Sequence, residues 1–222
     1  MKHIHLKNCD STQKYLCDLD IDRNIDYLVS TDLQTQGVGQ RSNQWQSDHN
    51  SLCFSFSITE NKVLSLTSIE IGLILTKYFD GLSVKWPNDL INKKGEKCGG
   101  IITNKKGDQK PIVGIGLNLY PSSISVTSSI KPGSIFQEDK NFNLKDLSLD
   151  IFNFIQSNRL SSDEIFSLWK AKCFHQEKEI IFIDGDKSIE GLFKGIGPYG
   201  EAIIESNGLD QTYVSGSIRF KN

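Results

Sequence analysis

The stretch KWPNDLINKKGEKCGGIIT, residues 85–103, constrains the fold more than any other part of the sequence. Pro87 fixes its own φ and lacks an N–H donor, and the Asn-Asp pair after it can hydrogen-bond its own backbone, so the chain must turn here. Apolar residues on both sides of the turn predict a strand, a sharp turn and a second strand. This geometry folds Lys85 and Lys97 towards Asp89. The stretch therefore predicts a cluster of two cations and one carboxylate that can hold an anion.

The second predicted strand of this stretch contains two adjacent glycines, Gly99 and Gly100. A glycine inside a strand weakens the strand and often marks a place where a ligand or another backbone segment comes close. We therefore expect a ligand to reach the bare backbone of this strand, beside the charged cluster.

The charge balance of the chain argues against one broad class of function. Its 222 residues include 25 Lys and Arg against 27 Asp and Glu, and its pI is about 6.1. A protein that neutralises nucleic-acid phosphates needs a clearly basic surface. We therefore expect no nucleic-acid partner.

The sequence also lacks the marks of a membrane or secreted protein. Its longest apolar runs, such as Ile71–Leu75 and Ile112–Leu119, are much shorter than the roughly 20 residues that span a bilayer. The amino terminus MKHIHLKNCD has no apolar signal region, and the five cysteines have neither CxxC nor other zinc-like spacing. These features favour a cytoplasmic protein with reduced thiols and no membrane partner.

Hydrophobic periodicity predicts the main elements around the central stretch. Leu52–Ile58 alternates with period two, so we expect one face of this strand to lie in the core. A connection rich in Ser, Pro and Gly follows from Pro121 to Asn141. The other predicted elements are strands at Tyr27–Thr31 and Ile112–Leu119, and helices after Asp10–Thr12, at Leu66–Tyr78, at Leu144–Ile155 and at Asp163–Cys173.

The pattern changes after His175, where short apolar runs alternate with glycine turns. Residues 176–222 therefore predict a small all-β unit that follows a main domain of residues 1–175. A unit of about 45 residues is too small for a robust core of its own, so we expect it to pack against the main domain.

Three polar features have both a structural and a functional interpretation. Ser11 and Thr12 are ordinary helix-capping types, but they also place hydroxyls at a helix start. The polar segment 34–45 is either a surface loop or a lid that orders on a ligand. Asn118 interrupts an apolar strand, and a buried amide needs a hydrogen-bond partner, which can be structural or a ligand.

Taken in order, these segments resemble the biotin protein ligases, the family that includes the holocarboxylase synthetases, over nearly the full chain. The similar segments are Asp10–Thr12 (DSTN in the family), Gln34–Trp45 (a ligand loop ending in Trp), Lys85–Asp89 (KWPND), Lys97–Ile101 (K-x-x-G-I) and Gly114–Asn118 (G-x-G-x-N). The resemblance implies an α+β fold, with a mixed central sheet and helices on one face as in class II synthetases. It also implies that residues 1–175 form the catalytic domain and residues 176–222 an SH3-like β-barrel.

The resemblance implies a reaction in two steps. Biotin and ATP, with Mg²⁺, would give biotinyl-5′-AMP and pyrophosphate. The biotinyl group would then pass to one lysine of the biotin carboxyl carrier protein of acetyl-CoA carboxylase. The enzyme would act as a monomer or a homodimer.

The resemblance also implies roles for individual residues. Lys97 would hold the carboxylate of biotin and the α-phosphate, Lys85 would assist on the phosphates, and Asp89 would bind Mg²⁺ or accept the proton of the carrier lysine. The implied biotin-binding residues are Ser11, Thr12, Gln34, Gly37, Gly39, Lys97, Gly99 and Gly100. The implied ATP and adenylate contacts are Gln40, Arg41, Trp45, Asn88 and Asn118.

The sequence departs from the family in its ligand loop. The usual pattern is GRGRxxR, but this chain has Val38, Gln40 and Asn43 at the arginine positions, and Arg41 is the one cation of the loop. Each lost arginine removes a charged hydrogen bond worth about 1.5–3 kcal/mol, so we expect weaker retention of the adenylate. We also expect no repressor function, because no helix-turn-helix region precedes Ile4.

Two other functions remain open at this point. The chain can be a ligase for lipoate or octanoate, since those enzymes share the fold, or a non-catalytic module that binds biotin or the carrier protein. The KWPND and K-x-x-G-I pair and the polar residues from Asp10 to Gln34 favour biotin.

Overall fold

A computed structural model describes residues 1–122, 130–138 and 140–220. Its main element is a seven-stranded sheet of order β1-β2-β5-β9-β8-β7-β6, in which β1 and β2 are parallel and all other neighbours are antiparallel. The strands are β1 (Lys2–Cys9), β2 (Tyr27–Gln34), β5 (Ser51–Ser57), β6 (Ser83–Lys85), β7 (Asp89–Ile91), β8 (Lys97–Asn104) and β9 (Ile112–Asn118). A small hairpin, β3 (Gly37–Val38) and β4 (Gln44–Trp45), lies outside this sheet. The predicted mixed α+β fold is confirmed.

Two long helices, α2 (Leu66–Tyr78) and α3 (Leu144–Ser157), cover one face of the sheet. Phe54 and Phe56 of β5 are fully buried on this face, and the ring of Phe56 meets that of Phe152 of α3 at a centroid distance of 5.5 Å. A further helix, α4 (Ser162–Lys172), packs against α2. It begins with the predicted serine cap, because Ser161 and Glu164 form a capping box.

The opposite face carries the short helix α1 (Thr12–Asp18). Leu16 of α1 packs with Val29 and Ile112 in a separate small apolar cluster. Ser11 caps this helix, as its position before an apolar run predicts, by accepting a hydrogen bond from the Lys14 N–H at 3.3 Å. The expectation of helices on one face therefore holds for the long helices, while α1 lies on the other face and leaves the rest of that face open.

The carboxyl-terminal part forms a five-stranded antiparallel sheet of order β13-β12-β11-β10-β14. Its strands are β10 (Glu179–Asp184), β11 (Lys187–Ile196), β12 (Ala202–Ser206), β13 (Leu209–Tyr213) and β14 (Ser217–Phe220). The sheet is consistent with the SH3-like expectation, and the domain boundary at residue 175 stays a prediction.

This small sheet shares its core with the large one, as its size predicts. Trp86, in the turn after β6, meets Phe182 at a ring distance of 5.9 Å and donates its indole N–H to the Gly200 carbonyl at 2.9 Å. The KWPND turn is thus anchored by both sheets.

The predicted connection from Pro121 to Asn141 lies partly outside the described residues. Among the residues described, no helix combines the length and apolar character needed to cross a membrane.

Candidate active site

Strand pairing places the charged cluster and a row of small residues side by side on the open face of the sheet. Lys85 pairs with Asp89, Asp89 with Gly100, Gly100 with Gly116, and Gly116 with Cys53. Laterally paired residues share one face of a sheet, so the row runs across five strands. The predicted turn at residues 86–88 is what returns Asp89 to Lys85.

Asp89 lies between the two lysines of the cluster. Its Oδ2 is 3.2 Å from Lys85 Nζ and its Oδ1 is 2.5 Å from Lys97 Nζ. Lys85 is buried, with 3% of its side chain exposed, whereas Lys97 is 30% exposed and reaches the pocket. Lys97 is therefore the cation of the cluster that a ligand can approach most readily.

The environment shifts the pKa values of the two buried members of the cluster. Burial, the largest influence, raises the pKa of Asp89, but Lys85 and Lys97 together bring it below its usual value. Burial lowers the pKa of the Lys85 ammonium, and the attraction of Asp89 opposes this effect. Asp89 is thus held as an anion, which makes it a weak proton acceptor and a strong partner for both lysines.

This arrangement does not fit a protein-held magnesium ion. Each oxygen of Asp89 faces a lysine ammonium, and in the described part of the chain no three His, Cys, Asp or Glu side chains come together as metal ligands. Mg²⁺ usually takes one or two carboxylates, water and substrate phosphates, and a cation disfavours a second cation at the same oxygen. The magnesium role of Asp89 stays a prediction that the geometry does not favour.

Neutral polar groups line another part of the same pocket. The Thr12 N–H and hydroxyl both donate to Gln34 Oε1, at 2.9 and 3.2 Å. Because the Thr12 hydroxyl has one proton, the Ser55 hydroxyl, 2.9 Å away, donates to Thr12 and keeps its lone pairs for another group. The network fixes the Gln34 amide with its oxygen turned to α1.

The predicted ligand loop is a short hairpin. Gly37 pairs with Trp45 and Val38 with Gln44, and a 3₁₀ turn at Gln40–Ser42 joins the two strands. Gly37 is required by packing, because a Cβ there would lie 2.4 Å from both Gln34 Nε2 and the Trp45 carbonyl. The hairpin leaves Gln40 exposed at the pocket.

Arg41 has an unusual backbone conformation for its type, with φ of 56° and ψ of 41°. This left-handed conformation costs energy for a residue with a Cβ. The exposed Arg41 side chain borders the pocket, where it is the loop's only cation.

Trp45 lies over the glycine row. A Cβ on Gly116 would be 2.4 Å from the Trp45 ring, and one on Gly100 would be 3.7 Å from it. Lys97 Nζ is 6.0 Å from the Trp45 ring centroid. The small residues of the row therefore admit the indole, which forms an apolar wall beside the charged cluster.

The pocket has a volume of about 190 Å³ and brings together most of the predicted site residues. The predicted residues that line it are Ser11, Thr12, Gln34, Gly39, Gln40, Arg41, Trp45, Lys85, Asn88, Asp89, Lys97 and Gly100. Asn88 also closes the turn, since its side chain donates to the Ile101 carbonyl at 2.7 Å.

Three predicted residues do not line this pocket. Gly37 supports the hairpin, and Gly99 faces the other side of the sheet, where a Cβ would lie 2.8 Å from Leu117. Asn118 donates to the Gly133 and Lys97 carbonyls at 3.1 and 3.4 Å and lines a neighbouring cavity of about 270 Å³. The structural interpretation of Asn118 thus has direct support, and the ligand roles of all three stay predictions.

The pocket also contains residues that sequence reasoning missed. Ser55 and Gly114 lie on the floor of the pocket. The sequence could have indicated both positions, because each is a small residue between larger apolar residues in its strand. Gln13 follows the predicted helix cap. Gly216 comes directly before β14 and Ser217 is its first residue, and nothing in their local sequence marks them as site residues.

Comparisons with known proteins agree with this architecture. The chain is 25% identical to the bifunctional ligase/repressor BirA of Escherichia coli (strain K12), over 96% of this chain and 72% of BirA. It is 27% identical to biotin–protein ligase 2 of Arabidopsis thaliana, over 73% of this chain and 48% of the relative. Among solved structures, the biotin protein ligase of Aquifex aeolicus in complex with biotin and ATP matches with a TM-score of 0.83 and 25% identity, over 99% of both chains.

A sequence model for one family covers the region that builds the pocket. It describes the biotin/lipoate A/B protein ligase family and matches residues 8–119, from the end of β1 to the end of β9. These residues include the helix cap, the hairpin, the charged cluster and the glycine row. The chain therefore belongs to the biotin/lipoate A/B protein ligase family.

Proposed function

We propose that this chain is a biotin protein ligase that activates biotin with ATP and transfers it to a lysine of a biotin carboxyl carrier protein. The observation that carries the proposal is the division of one pocket into two chemically different parts. Lys97 and Asp89 give it a charged part, and Thr12, Gln34 and Ser55 give it a neutral hydrogen-bonding part. Biotin has matching ends, a carboxylate and a neutral ureido ring.

In the first step, a carboxylate oxygen of biotin bonds to the α-phosphorus of ATP, and the bond from that phosphorus to the leaving pyrophosphate breaks. Two anions must approach each other, so a fixed cation is needed where charge builds up. Lys97 supplies it at the pocket surface. Asp89, which also pairs with the buried Lys85, holds Lys97 in place, and magnesium bound to ATP would supply further charge neutralisation.

In the second step, the amine nitrogen of the acceptor lysine bonds to the activated carbonyl carbon, the bond from that carbon to AMP breaks, and the nitrogen releases a proton to solvent. Asp89 is poorly suited to take this proton, because the two lysines hold its pKa low. Its role in this proposal is to orient the lysines. Gln34, whose Oε1 is occupied by Thr12, keeps its amide N–H groups for the ureido carbonyl.

The reaction can be tested by pyrophosphate exchange into ATP. We expect exchange that depends on biotin, and little exchange with lipoate or octanoate at the same concentration. Preference for lipoate or octanoate would instead favour the second enzyme class of this family. Tight biotin binding with no exchange would leave only a binding module.

The acceptor is proposed to be the biotin carboxyl carrier protein of acetyl-CoA carboxylase. A solved relative with the same fold, from Helicobacter pylori, is described as a biotin acetyl coenzyme A carboxylase synthetase. Incubation of the carrier with enzyme, biotin and ATP should add one biotinyl group, detected by intact mass. Replacement of the acceptor lysine by arginine should abolish the addition. The cytoplasmic location and the oligomeric state stay predictions from the sequence.

A further inference from the structure

Gln13, the second residue of α1, is a buried amide at the wall of the pocket. Only 6% of the residue is exposed, and it borders the pocket together with Thr12 and Ser55. No group in the described part of the chain donates a hydrogen bond to its Oε1, which is itself fully buried. An unpaired buried acceptor is energetically unfavourable, so we expect this oxygen to have a hydrogen-bond partner when the site is occupied.

The orientation of the Gln13 amide is fixed by its neighbours. Nε2 donates to the Ile112 carbonyl at 3.0 Å and to Asn104 Oδ1 at 2.9 Å. A backbone carbonyl can only accept, so the amide nitrogen must face Ile112. Both protons of the nitrogen are thereby used, and the oxygen remains as an acceptor on the other side of the amide.

Gly114 makes the space that this oxygen occupies. A Cβ at position 114 would lie 2.5 Å from Gln13 Oε1 and 3.1 Å from Cδ, closer than real Cβ contacts allow. Gly114 borders the same pocket and pairs with Ser55. The missing side chain at Gly114 thus leaves room for the Gln13 amide oxygen against a strand residue that borders the pocket.

We propose that Gln13 is a specificity-determining residue, whose Oε1 accepts a hydrogen bond from a ring N–H of the bound acid. This inference rests on the proposed function, in which the ring is the ureido group of biotin. Lipoate and octanoate have no N–H at the corresponding end and would leave the acceptor unpaired. Sites built to pair with a substrate N–H reject analogues that lack it.

The test uses biotin and two lactam analogues, each with one ureido N–H replaced by a methylene, and measures Kd by calorimetry. The parent is compared with Gln13→Met, which keeps an unbranched side chain of similar length but has no acceptor oxygen. Asn104→Ala is the matched control, because it removes one partner of Nε2 and leaves Oε1 intact. Melting temperatures without ligand report any loss of stability.

We expect one lactam to bind the parent about tenfold more weakly than biotin, the effect of one hydrogen bond. In Gln13→Met this difference should shrink to less than twofold, while the other lactam keeps its ratio to biotin. Asn104→Ala should keep both ratios of the parent. A purely structural role predicts that Gln13→Met weakens all three ligands by the same factor, and this result would overturn the proposal.

The parent alone can still overturn the proposal if Gln13→Met does not fold. If both lactams bind the parent with Kd values within twofold of that of biotin, no buried acceptor accepts a hydrogen bond from a ring N–H. This result would exclude the role of Gln13 and leave the proposed binding of biotin unaffected. A parent that binds no biotin at all would overturn the proposed function and this inference with it.

Discussion

The two faces of the seven-stranded sheet are built from the same strands but have different roles. One face packs against the long helices in the core, and the other carries the pocket. In β5, Phe54 and Phe56 point to α2 and α3, while Cys53 and Ser55 point to the opposite face, where Ser55 lines the pocket. In β9, the buried Val113 alternates with the pocket residue Gly114. The alternation shows why a strand can be buried on both faces and still contain serine and glycine, because one face needs volume and the other needs space and hydrogen-bonding groups.

The same comparison predicts where a substitution will be felt. Loss of volume on the apolar face leaves a cavity in the core and lowers stability. Loss of a polar or charged group on the open face removes a ligand contact and leaves the core intact. Variants on the two faces can therefore test this separation.

Lys97→Ala should abolish adenylate formation, with a loss of about 1000-fold in biotin-dependent pyrophosphate exchange, because it removes the exposed cation of the cluster. The melting temperature should change little, since Lys97 is partly exposed and Asp89 keeps Lys85 as a partner. Turnover within a few-fold of the parent would exclude the role given to Lys97.

Neighbouring substitutions in β5 should separate the two faces most clearly. Phe56→Ala should lower the free energy of unfolding by about 3–5 kcal/mol, because the fully buried ring is lost from the core. Ser55→Ala should lower it by only about 1 kcal/mol, since one hydrogen bond to Thr12 is lost.

Urea unfolding measures the stability of both variants, and biotin titration measures their affinity for biotin. Biotin should bind folded Phe56→Ala about as well as the parent and Ser55→Ala several-fold more weakly. The reverse order of binding would mean that the open face is not the ligand site.

Gln40→Arg should slow the release of biotinyl-AMP by about tenfold, because a charged hydrogen bond to the phosphate is added at the exposed hairpin. Release can be followed by rapid filtration after a single turnover. Gln36→Arg adds the same charge at an exposed residue that does not border the pocket and serves as the control. Unchanged or faster release in Gln40→Arg would show that the hairpin does not retain the intermediate.

The smallest expected effect is a loss of folding stability at acid pH, caused by a histidine buried among apolar residues. His175 is fully buried against Trp169 and Phe193, and burial places its pKa well below 6.5. Below about pH 6.5 the His175 side chain therefore binds a proton in the unfolded chain more readily than in the native state. Its contribution to the free energy of unfolding is fully present above about pH 6.5 and is lost as the pH falls below that value.

We expect a loss of about 1 kcal/mol between pH 6.5 and 5.5, measured by urea unfolding. His175→Phe should remove most of this slope. Asp89, whose pKa is lowered, contributes stability that is lost only near and below pH 4, so it does not mask the histidine. An unchanged slope in His175→Phe would assign the acid sensitivity to other groups.

Local chemistry was enough to predict the helix cap at Ser11 and the turn that returns Asp89 to Lys85. Both depend on residues a few positions apart, where side-chain type decides backbone geometry. The charged cluster followed from that turn, and the carboxyl-terminal strands followed from their glycine turns.

Other parts of the site depend on register and on distant partners, which local patterns do not contain. Gly99 and Gly100 are adjacent, and only the pairing of β8 decides that Gly100 faces the pocket while Gly99 faces the core. Gln13 is held by Ile112, about a hundred residues away in the sequence. The contribution of Gly216 depends on how the small sheet packs against the large one.

Hydrogen–deuterium exchange with biotin and ATP tests most directly whether the open face is the catalytic site. We expect local protection of residues 34–45, which contain the hairpin, and of the start of α1, with no local change in α2 or α3, which cover the opposite face. Protection confined to α2 and α3, or to the carboxyl-terminal sheet, would contradict it.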